Sequence, residues 1–292
     1  MKKLFTFFIS AAFLLATLTL PAFAAPEVSA KSCILIDAES GASLFEYNAD
    51  AQMPIASTTK ILTALVVIER CKLEDTVFIE SKHVDVEGSS MYLVPGETLT
   101  VRELLYGLLL ASGNDAATAL AYHTAGDIDA FADLMNEKAA SLGCSSSNFT
   151  NPHGLNSDRH YSTAGDLAII AATVMENDTL SDIVSTKSVT ISSRSYTNHN
   201  KLLWTCDGAL GMKTGYTSMA GRTLVSCAER DGIRLICVTL NDPDDWDDHI
   251  NLYDWGFSQR TRYKIEKRSD IYAPVPVISG VKDYAKIMQE RE

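Results

Sequence analysis

Short apolar runs early and late in the chain predict β-strands. Residues 33–37 are almost wholly apolar, which is typical of a buried strand, and residues 43–47 predict a second short strand. Residues 224–228 and 234–240 alternate or run apolar on either side of Asp231-Gly232, a pair that favours a tight hairpin turn. The sequence therefore predicts an early strand pair and a later β-hairpin.

Between these strands the apolar residues recur at helical spacing. The predicted helices cover residues 59–70, 129–141 and 162–176, and residues 101–125 hold two further helical runs that break near Ser112-Gly113-Asn114. Strands, then helices, then a hairpin and a closing helix indicate an α+β fold in which helices cover an antiparallel sheet.

Acidic residues after the hairpin predict the start of the closing helix. Asp242 is placed to be its N-cap and Pro243 its first helical residue, while Gly256 is placed to end it. A calcium-binding loop does not fit, because Trp246 stands where such a loop needs Asp or Asn. Beyond this helix the chain becomes polar, and we expect an extended segment at residues 272–278.

The first 24 residues predict a signal peptide. Lys2 and Lys3 form a positive start, residues 4–20 are almost wholly apolar, and Ala22-Phe23-Ala24 supplies the small-x-small cleavage pattern. The alternative is an uncleaved membrane anchor. No later segment reaches the ~18 apolar residues that a membrane span needs. We therefore expect a secreted, extracytoplasmic protein with no stable membrane span after signal cleavage.

Composition narrows the classes of function. Of the 292 residues, 46% are hydrophobic and 21% charged, which is typical of a folded globular protein. The 25 Lys and Arg against 37 Asp and Glu give a net charge of −12, so a nucleic-acid partner is not expected. We expect one domain over residues 25–260 and a short tail over residues 261–292. The six cysteines form no CxxC pair, which favours buried thiols but leaves one disulfide open.

Ser57-Thr58-Thr59-Lys60 is the first of three motifs suited to catalysis. A spacing of three places Ser57 and Lys60 about one turn apart on the same face of a helix. A lysine amine in a dry, cationic pocket can lose its proton and then take the proton of a serine hydroxyl. The helix N-terminus also offers the backbone N–H of Ser57 to a developing oxyanion.

Two further motifs carry polar groups suited to a substrate. Ser112-Gly113-Asn114 offers a hydroxyl and a carboxamide in the break between two helical runs. Lys213-Thr214-Gly215, before the strand at residues 223–228, offers a charge and a hydroxyl to a carboxylate and a glycine to an approaching backbone. Each motif alone arises by chance in many chains. The order SxxK, SxN, KTG in one chain is the signature set of penicillin-binding proteins and class A β-lactamases.

The chain resembles the low-molecular-mass penicillin-binding proteins, the serine-type D-alanyl-D-alanine carboxypeptidases of peptidase family S11. The resemblance runs from about residue 30 to Phe257 and implies a penicillin-binding protein or β-lactamase-like transpeptidase fold, with a mostly helical subdomain beside the sheet. Besides the three motifs it rests on these stretches: Gly88-Ser89-Ser90-Met91, Asn151-Pro152-His153-Gly154-Leu155 and Tyr161-Ser162-Thr163-Ala164.

The resemblance implies a reaction and its catalytic residues. Ser57 would attack the carbonyl between two D-alanines and become acylated, with Lys60 as the base and Ser112 as a proton relay to the leaving D-alanine. The N–H groups of Ser57 and Tyr216 would form the oxyanion hole. The substrate would be a peptidoglycan stem peptide ending in D-Ala-D-Ala, and β-lactam antibiotics would be covalent inhibitors. No metal and no cofactor would be required.

The same resemblance implies a set of substrate-binding residues. Asn114 would hold the substrate backbone, Lys213 would keep the site positive, and Thr214 would bind the terminal carboxylate beside Gly215 and Tyr216. This hypothesis requires that the hydroxyl of Ser57 and the amines of Lys60 and Lys213 converge in one water-poor crevice at the edge of the sheet.

Two departures from the family pattern affect this interpretation. Some relatives place a carboxylate-binding arginine before the last helix, and residues 241–249 contain none. Arg222 and His249 are the candidates to replace it, and the alternative is that Thr214 suffices. The family also commonly adds a C-terminal β-rich domain and an anchoring helix. The tail here would be at most a stub of that domain, and the protein would be either released or otherwise retained at the wall.

Two other functions are weighed against the carboxypeptidase. A class A β-lactamase shares the three motifs but needs a deacylating glutamate after the second one, and residues 151–166 contain none. A non-catalytic penicillin-sensing domain would use the same acylation but needs a transmembrane partner region. Asn198 and Asn200 precede an apolar run. The family resemblance implies that they brace the cleft, and the alternative is that they end a polar strand.

Overall fold

The computed structural model describes residues 25–261, 274–276 and 284–286 of the chain. The predicted signal peptide and most of the predicted tail lie outside these residues. Where the structure describes the chain, no helix combines the length and the apolar character that crossing a membrane requires.

The order of elements follows the predicted one, with strands early and late and helices between them. The strands are β1 (Ser32–Asp37), β2 (Ser43–Tyr47), β3 (Thr76–Phe78), β4 (Thr98–Thr100), β5 (Ser188–Ile191), β6 (Arg194–Thr197), β7 (Ala209–Thr217), β8 (Gly221–Arg230), β9 (Ile233–Leu240), β10 (Pro274–Pro276) and β11 (Tyr284–Lys286). The helices are α1 (Lys60–Arg70), α2 (Ser81–Val84), α3 (Val101–Leu109), α4 (Asn114–Ala125), α5 (Ile128–Ser141), α6 (Ala164–Glu176), α7 (Asp178–Ser185), α8 (Leu202–Thr205) and α9 (Asp245–Ser258).

Five strands form one antiparallel sheet in the order β2-β1-β9-β8-β7. The turn between β8 and β9 has positive φ at Asp231 and Gly232, as the predicted hairpin requires. β7 is an edge strand, so it has a sheet partner on one side only. It contains Lys213-Thr214-Gly215, a motif that was predicted to lie before a strand. Lysine and glycine are depleted in strands, so their presence obscures the apolar pattern that would have predicted β7.

Both faces of the sheet are covered by helices. One face packs against the helical part of the molecule and includes Ile34, Val225 and Ile236. The other face packs beneath α9 and includes Leu35 and Leu235. Burial on both faces explains why the strands read as nearly continuous apolar runs. The α+β architecture predicted from the sequence is confirmed.

Helix α1 lies at the centre of the helical part. It contacts α3, α4, α5 and α6, and its residues 60–67 are all buried. A helix surrounded by other helices is apolar on all sides, which matches the sequence that follows Lys60. Lys60 itself is the exception, and the active-site contacts described below account for its burial.

The closing helix differs from its prediction at both ends. Its N-cap is Asp244 and its first residue Asp245, so Asp242 and Pro243 precede the helix. Gly256 does not end it, because the helix continues to Ser258. A Cβ at Gly256 would lie 2.6 Å from Leu35 Cδ2, so this glycine allows the helix to approach the sheet closely.

All six cysteines lie in the described part of the chain and are free thiols. Cys71 is half-buried and the other five are buried. The favoured prediction of buried thiols is confirmed.

Candidate active site

Ser57 lies in a strained turn at the N-terminus of α1. A short 3-10 turn leads directly into the helix, and Ala56 has a positive φ of 46°. The carbonyl of Ile55 accepts hydrogen bonds from the hydroxyls of Thr58, at 2.6 Å, and Thr223, at 3.2 Å. Backbone in such a conformation persists only where its surroundings hold it, and it clusters at active sites.

Lys60 is fully buried and its amine faces the Ser57 hydroxyl. Its Nζ lies 2.8 Å from Ser57 Oγ, 2.7 Å from Asn114 Oδ1 and 2.8 Å from the carbonyl oxygen of His153. The serine and lysine of the first motif are therefore in direct contact, and the second motif touches the same amine.

The surroundings of Lys60 favour its neutral form. Burial lowers the pKa of Lys60 well below its usual value, and the charge of Lys213 lowers it further. The carboxylate of Asp115 acts in the opposite direction. A lysine in this environment can act as a base toward the hydroxyl of Ser57.

The second motif fills the break between α3 and α4. Ser112 has a positive φ of 59° and lines the same cleft as Ser57. The carboxamide of Asn114 is held at both ends: Oδ1 accepts from Lys60, and Nδ2 donates to the carbonyl of Glu87 at 2.6 Å. Asn114 thus connects the buried lysine to a segment that borders the cleft.

Lys213 of the third motif is also buried, and burial lowers its pKa to about 7. Gly211 and Met212 just before it have φ of 89° and 87° and interrupt the register between β7 and β8. Asn200 donates from Nδ2 to the carbonyl of Gly211 at 2.7 Å, and its own N–H donates to Asn198 Oδ1. Of the two interpretations of these asparagines, the contacts favour bracing of the cleft.

Gly215 brings the edge strand against the nucleophile. A Cβ at this position would lie 2.4 Å from Thr223 Oγ1 and 2.9 Å from the backbone nitrogen of Ser57, closer than side-chain carbons approach such atoms. The carbonyl of Thr214 accepts a hydrogen bond from Lys213 Nζ at 2.8 Å. The third motif therefore lies directly beside the first.

A cleft of about 370 Å³ opens where the three motifs meet. Of the residues that the sequence analysis selected, those lining it are Ser57, Ser112, Thr214, Gly215, Tyr216 and Arg222. Lys60, Asn114 and Lys213 are buried beside them. The structure therefore brings the three motifs together at the edge of the sheet.

The cleft also contains residues that the sequence analysis did not select, namely Ser89, His199, Lys201, Asp245 and Trp246. His199 lies between Asn198 and Asn200 in the sequence, and this position beside two candidate cleft residues was a signal that His199 lines the cleft. Ser89 belongs to the Gly88-Ser89-Ser90-Met91 stretch on which the family resemblance rests. Lys201, Asp245 and Trp246 belong to no recognised motif, and only the folding of distant segments places them here.

Arg222 lies in the cleft and its guanidinium is held in place. Its Nη2 donates to the buried Asp245 Oδ1 at 2.6 Å, and the guanidinium lies over the Trp246 ring, 5.4 Å from its centre. A planar cation fixed in this way can present its remaining N–H groups to a carboxylate.

The expectation that His249 binds a carboxylate is wrong. His249 is fully buried between α9 and the sheet, where Ser226 Oγ lies 2.7 Å from Nδ1 and Thr239 Oγ1 lies 3.0 Å from Nε2. Burial lowers the pKa of His249 to about 3, so the ring is neutral at ordinary pH. It stabilises the packing of α9 and does not reach the cleft.

Two further histidines, the half-buried His153 and the buried His160, support the nucleophile turn. Burial lowers the pKa of His153 to about 3 and that of His160 to about 4, so both rings are neutral. His160 Nδ1 accepts from the N–H of Thr150, which leaves Nε2 to donate to Thr59 Oγ1 at 2.8 Å.

Within the described ranges, no group of three or more His, Cys, Asp or Glu side chains is placed to hold a metal ion.

Comparison with known proteins identifies relatives of this chain. Residues 20–244 match the peptidase S11 family, described as D-alanyl-D-alanine carboxypeptidase. The carboxypeptidase DacF of Bacillus subtilis is 32% identical over 271 residues, covering 88% of this chain and 70% of DacF. The carboxypeptidase DacB2 of Mycobacterium tuberculosis is 37% identical over 245 residues, covering 80% of this chain and 84% of DacB2.

Solved structures agree in fold as well as in sequence. The D-alanyl-D-alanine carboxypeptidase structure from Mycobacterium tuberculosis matches with a TM-score of 0.78 and 36% identity, covering 82% of this chain and 94% of that one. The Streptomyces K15 DD-transpeptidase matches with a TM-score of 0.77 and 32% identity, covering 80% of this chain and 99% of that one. The chain thus belongs to the peptidase S11 family of D-alanyl-D-alanine carboxypeptidases and is a serine carboxypeptidase with the penicillin-binding fold.

Proposed function

We propose that this enzyme removes the terminal D-alanine from peptidoglycan pentapeptide stems through an acyl-enzyme on Ser57. The observation that carries the proposal is the 2.8 Å contact between Lys60 Nζ and Ser57 Oγ, made by a fully buried lysine. The names of the relatives support the substrate class. β-Lactam antibiotics would acylate the same serine and act as covalent inhibitors.

Acylation begins when neutral Lys60 takes the proton of the Ser57 hydroxyl as Oγ attacks the carbonyl carbon between the two D-alanines. The N–H groups of Ser57 and Tyr216 stabilise the oxyanion, and removing one such donor typically costs about 3 kcal/mol. The C–N bond then breaks, and the proton that Lys60 took from Ser57 passes through Ser112 to the leaving nitrogen, so that Lys60 is neutral again. D-Alanine departs and the shortened stem remains as an ester on Ser57.

Water completes the cycle. Lys60 takes a proton from water as the oxygen attacks the ester carbonyl, and the C–O bond to Ser57 breaks as the hydroxyl regains its proton. The products are a stem one residue shorter and a free enzyme. The absence of glutamate from residues 151–166 favours this reaction over that of a class A β-lactamase.

The remaining residues of the site bind different parts of the substrate. Asn114 holds the backbone of the stem peptide, and Gly215 permits the peptide to lie close to β7. Thr214 and Arg222 bind the terminal carboxylate, with Lys213 adding positive charge. The fixed guanidinium of Arg222 supports its part in this proposal.

We extend the proposal to location. The Lys2-Lys3 start, the apolar stretch and the Ala22-Phe23-Ala24 pattern support cleavage of a signal peptide at residue 24 and work in the cell envelope. N-terminal sequencing of the exported protein should then begin at Ala25. A mature protein that still starts at Met1 would contradict this part of the proposal.

The reaction is tested with a diacyl-Lys-D-Ala-D-Ala peptide and an assay for released D-alanine. Ser57→Ala should abolish release and also the mass increase that penicillin produces on the protein. Ser258→Ala, at the exposed end of α9, is the matched control and should retain both. Undiminished release by Ser57→Ala would refute the proposal, and rapid turnover of penicillin in place of peptide would indicate a β-lactamase.

A further inference from the structure

Asp115 follows the second motif, and its side chain lies in the protein interior, 2% exposed. Its two carboxylate oxygens accept four hydrogen bonds, at 2.5 to 3.0 Å. The donors are Ser90 Oγ and the backbone N–H groups of Met91, Leu93 and Ala116. Three of these four donors belong to one segment, residues 87–93, so a single carboxylate makes three of the contacts that hold that segment in place.

The 87–93 segment forms one border of the catalytic cleft. Ser89 lines the cleft, and its carbonyl accepts from the N–H of Asn114 at 2.7 Å. The carbonyl of Glu87 accepts from Asn114 Nδ2, whose other amide atom contacts Lys60. A Cβ at Gly88 would lie 2.8 Å from Asn114 Nδ2, so this segment packs tightly on the motif. Releasing it would therefore free a substrate-binding side chain.

Asp115 also supplies negative charge near the buried Lys60. Its carboxylate raises the pKa of Lys60, against the lowering by burial and by Lys213. The neighbouring titratable groups around Lys60 include His153, His160 and His199, and burial lowers the pKa of each, with the charge of Lys60 lowering it further. These rings are mainly neutral near pH 7, so Asp115 opposes the charge of Lys213.

We propose that Asp115 is a positioning residue for the reaction, which holds the 87–93 segment against Asn114 and opposes the effect of the Lys213 charge on Lys60. This inference rests on the proposed function, since it assumes that Lys60 is the base. Asp115 itself does not touch the substrate.

The test compares the pH dependence of penicillin acylation in two variants. Asp115→Asn removes the charge, so Lys60 stays neutral to lower pH, and the acidic limb of the profile should move down by about one pH unit. The maximal rate should fall by about tenfold, because an amide cannot accept all four bonds. Ser90→Ala removes one of the four hydrogen bonds to Asp115 and keeps the charge, so its limb should stay where it is in the wild type.

A purely structural role predicts a lower rate in both variants and an unmoved limb in Asp115→Asn, and that result would overturn the proposal. Should Asp115→Asn fail to fold, Asp115→Glu retains the charge but displaces it by one methylene. Its limb should stay near the wild-type position while its rate falls, and a wild-type rate in this variant would contradict the positioning role.

A measurement independent of activity separates this inference from the proposed function. Hydrogen exchange of the Met91 and Leu93 amides should accelerate in Asp115→Asn and much less in Ser90→Ala. NMR titration of Lys60 in the Ser57→Ala protein, with and without Asp115→Asn, measures the charge effect directly. If Ser57→Ala still released D-alanine, the proposed function would fail, yet these two readouts would still decide the role of Asp115; unchanged exchange and titration would reject it.

Discussion

Gly154 offers a test of how closely the nucleophile turn is held. It has a φ of 85°, and a Cβ there would lie 1.8 Å from the carbonyl oxygen of Ala56 and 2.8 Å from Thr59 Oγ1. In Gly154→Ala the 150–160 loop, which contains Gly154, must therefore separate from the nucleophile turn by about 1 Å, since non-bonded carbon and oxygen atoms do not approach so closely. A displacement of that size in an active site can slow a reaction by about 100-fold. We expect a loss of this order in the rate of penicillin acylation.

Gly143→Ala is the matched control for this substitution. Gly143 has the same φ of 85°, but a Cβ there would meet no atom within 4 Å. Both variants should lose about 1–2 kcal/mol of unfolding free energy, because an L-residue is strained in this conformation. The steric overlap in Gly154→Ala should add about 1–3 kcal/mol to that loss. Denaturant unfolding measures both losses, and acylation by penicillin measures the displacement of Ser57. Equal acylation rates in the two variants would refute the reasoning that the 150–160 loop sets the position of the nucleophile.

Three further substitutions test separate parts of the site. Arg222→Leu should raise KM for a D-Ala-D-Ala peptide by about tenfold and leave a peptide with an amidated C-terminus unaffected; equal effects on both peptides would exclude carboxylate binding by Arg222. His249→Leu should lower the unfolding free energy by about 1–3 kcal/mol, because two buried hydroxyls lose their partner, while KM stays unchanged; a raised KM would restore His249 to the site. Lys213→Met removes the positive charge that lowers the pKa of Lys60, so the acidic limb of acylation should move to higher pH, opposite to Asp115→Asn; an unmoved limb would show that the two lysines do not interact.

Much of the fold follows from local patterns in the sequence. The strands β1 and β2, the long helices and the β8–β9 hairpin all lie where periodicity and turn chemistry place them. These segments have one strong signal each, such as Asp231-Gly232 between two apolar runs. The boundaries of the closing helix were wrong because Asp242 and Gly256 resemble caps but are used otherwise. Gly256 is required by helix-to-sheet packing, which sequence pattern does not reveal.

The site was predictable where the spacing of residues within a motif fixes their relative positions. Ser57 and Lys60 are three residues apart at the start of a helix, so their contact follows from helix geometry. Arg222 and His249 could not be separated in this way, because both lie where α9 meets the sheet, and only the tertiary structure shows that Arg222 lines the cleft while His249 is enclosed. The residues at the outer part of the cleft, such as Lys201 and Trp246, come from distant segments. Only tertiary structure brings them beside the strand that carries the third motif.

The three motifs share a backbone feature, a residue with positive φ, that explains why they meet so closely. A residue with positive φ stands at Ala56 just before the nucleophile, at Ser112 itself, and at Met212 just before Lys213. Each such residue costs of order 1–3 kcal/mol, and buried hydrogen bonds around it must offset that cost. The hydroxyls on the Ile55 carbonyl, the two bonds of the Asn114 carboxamide and the Asn200 contact to Gly211 meet this requirement. Because side-chain hydrogen bonds connect each turn to another part of the chain, the catalytic geometry depends on complete folding. Loss of one of these bonds should therefore lower the rate of acylation by a larger fraction than it lowers the free energy of unfolding.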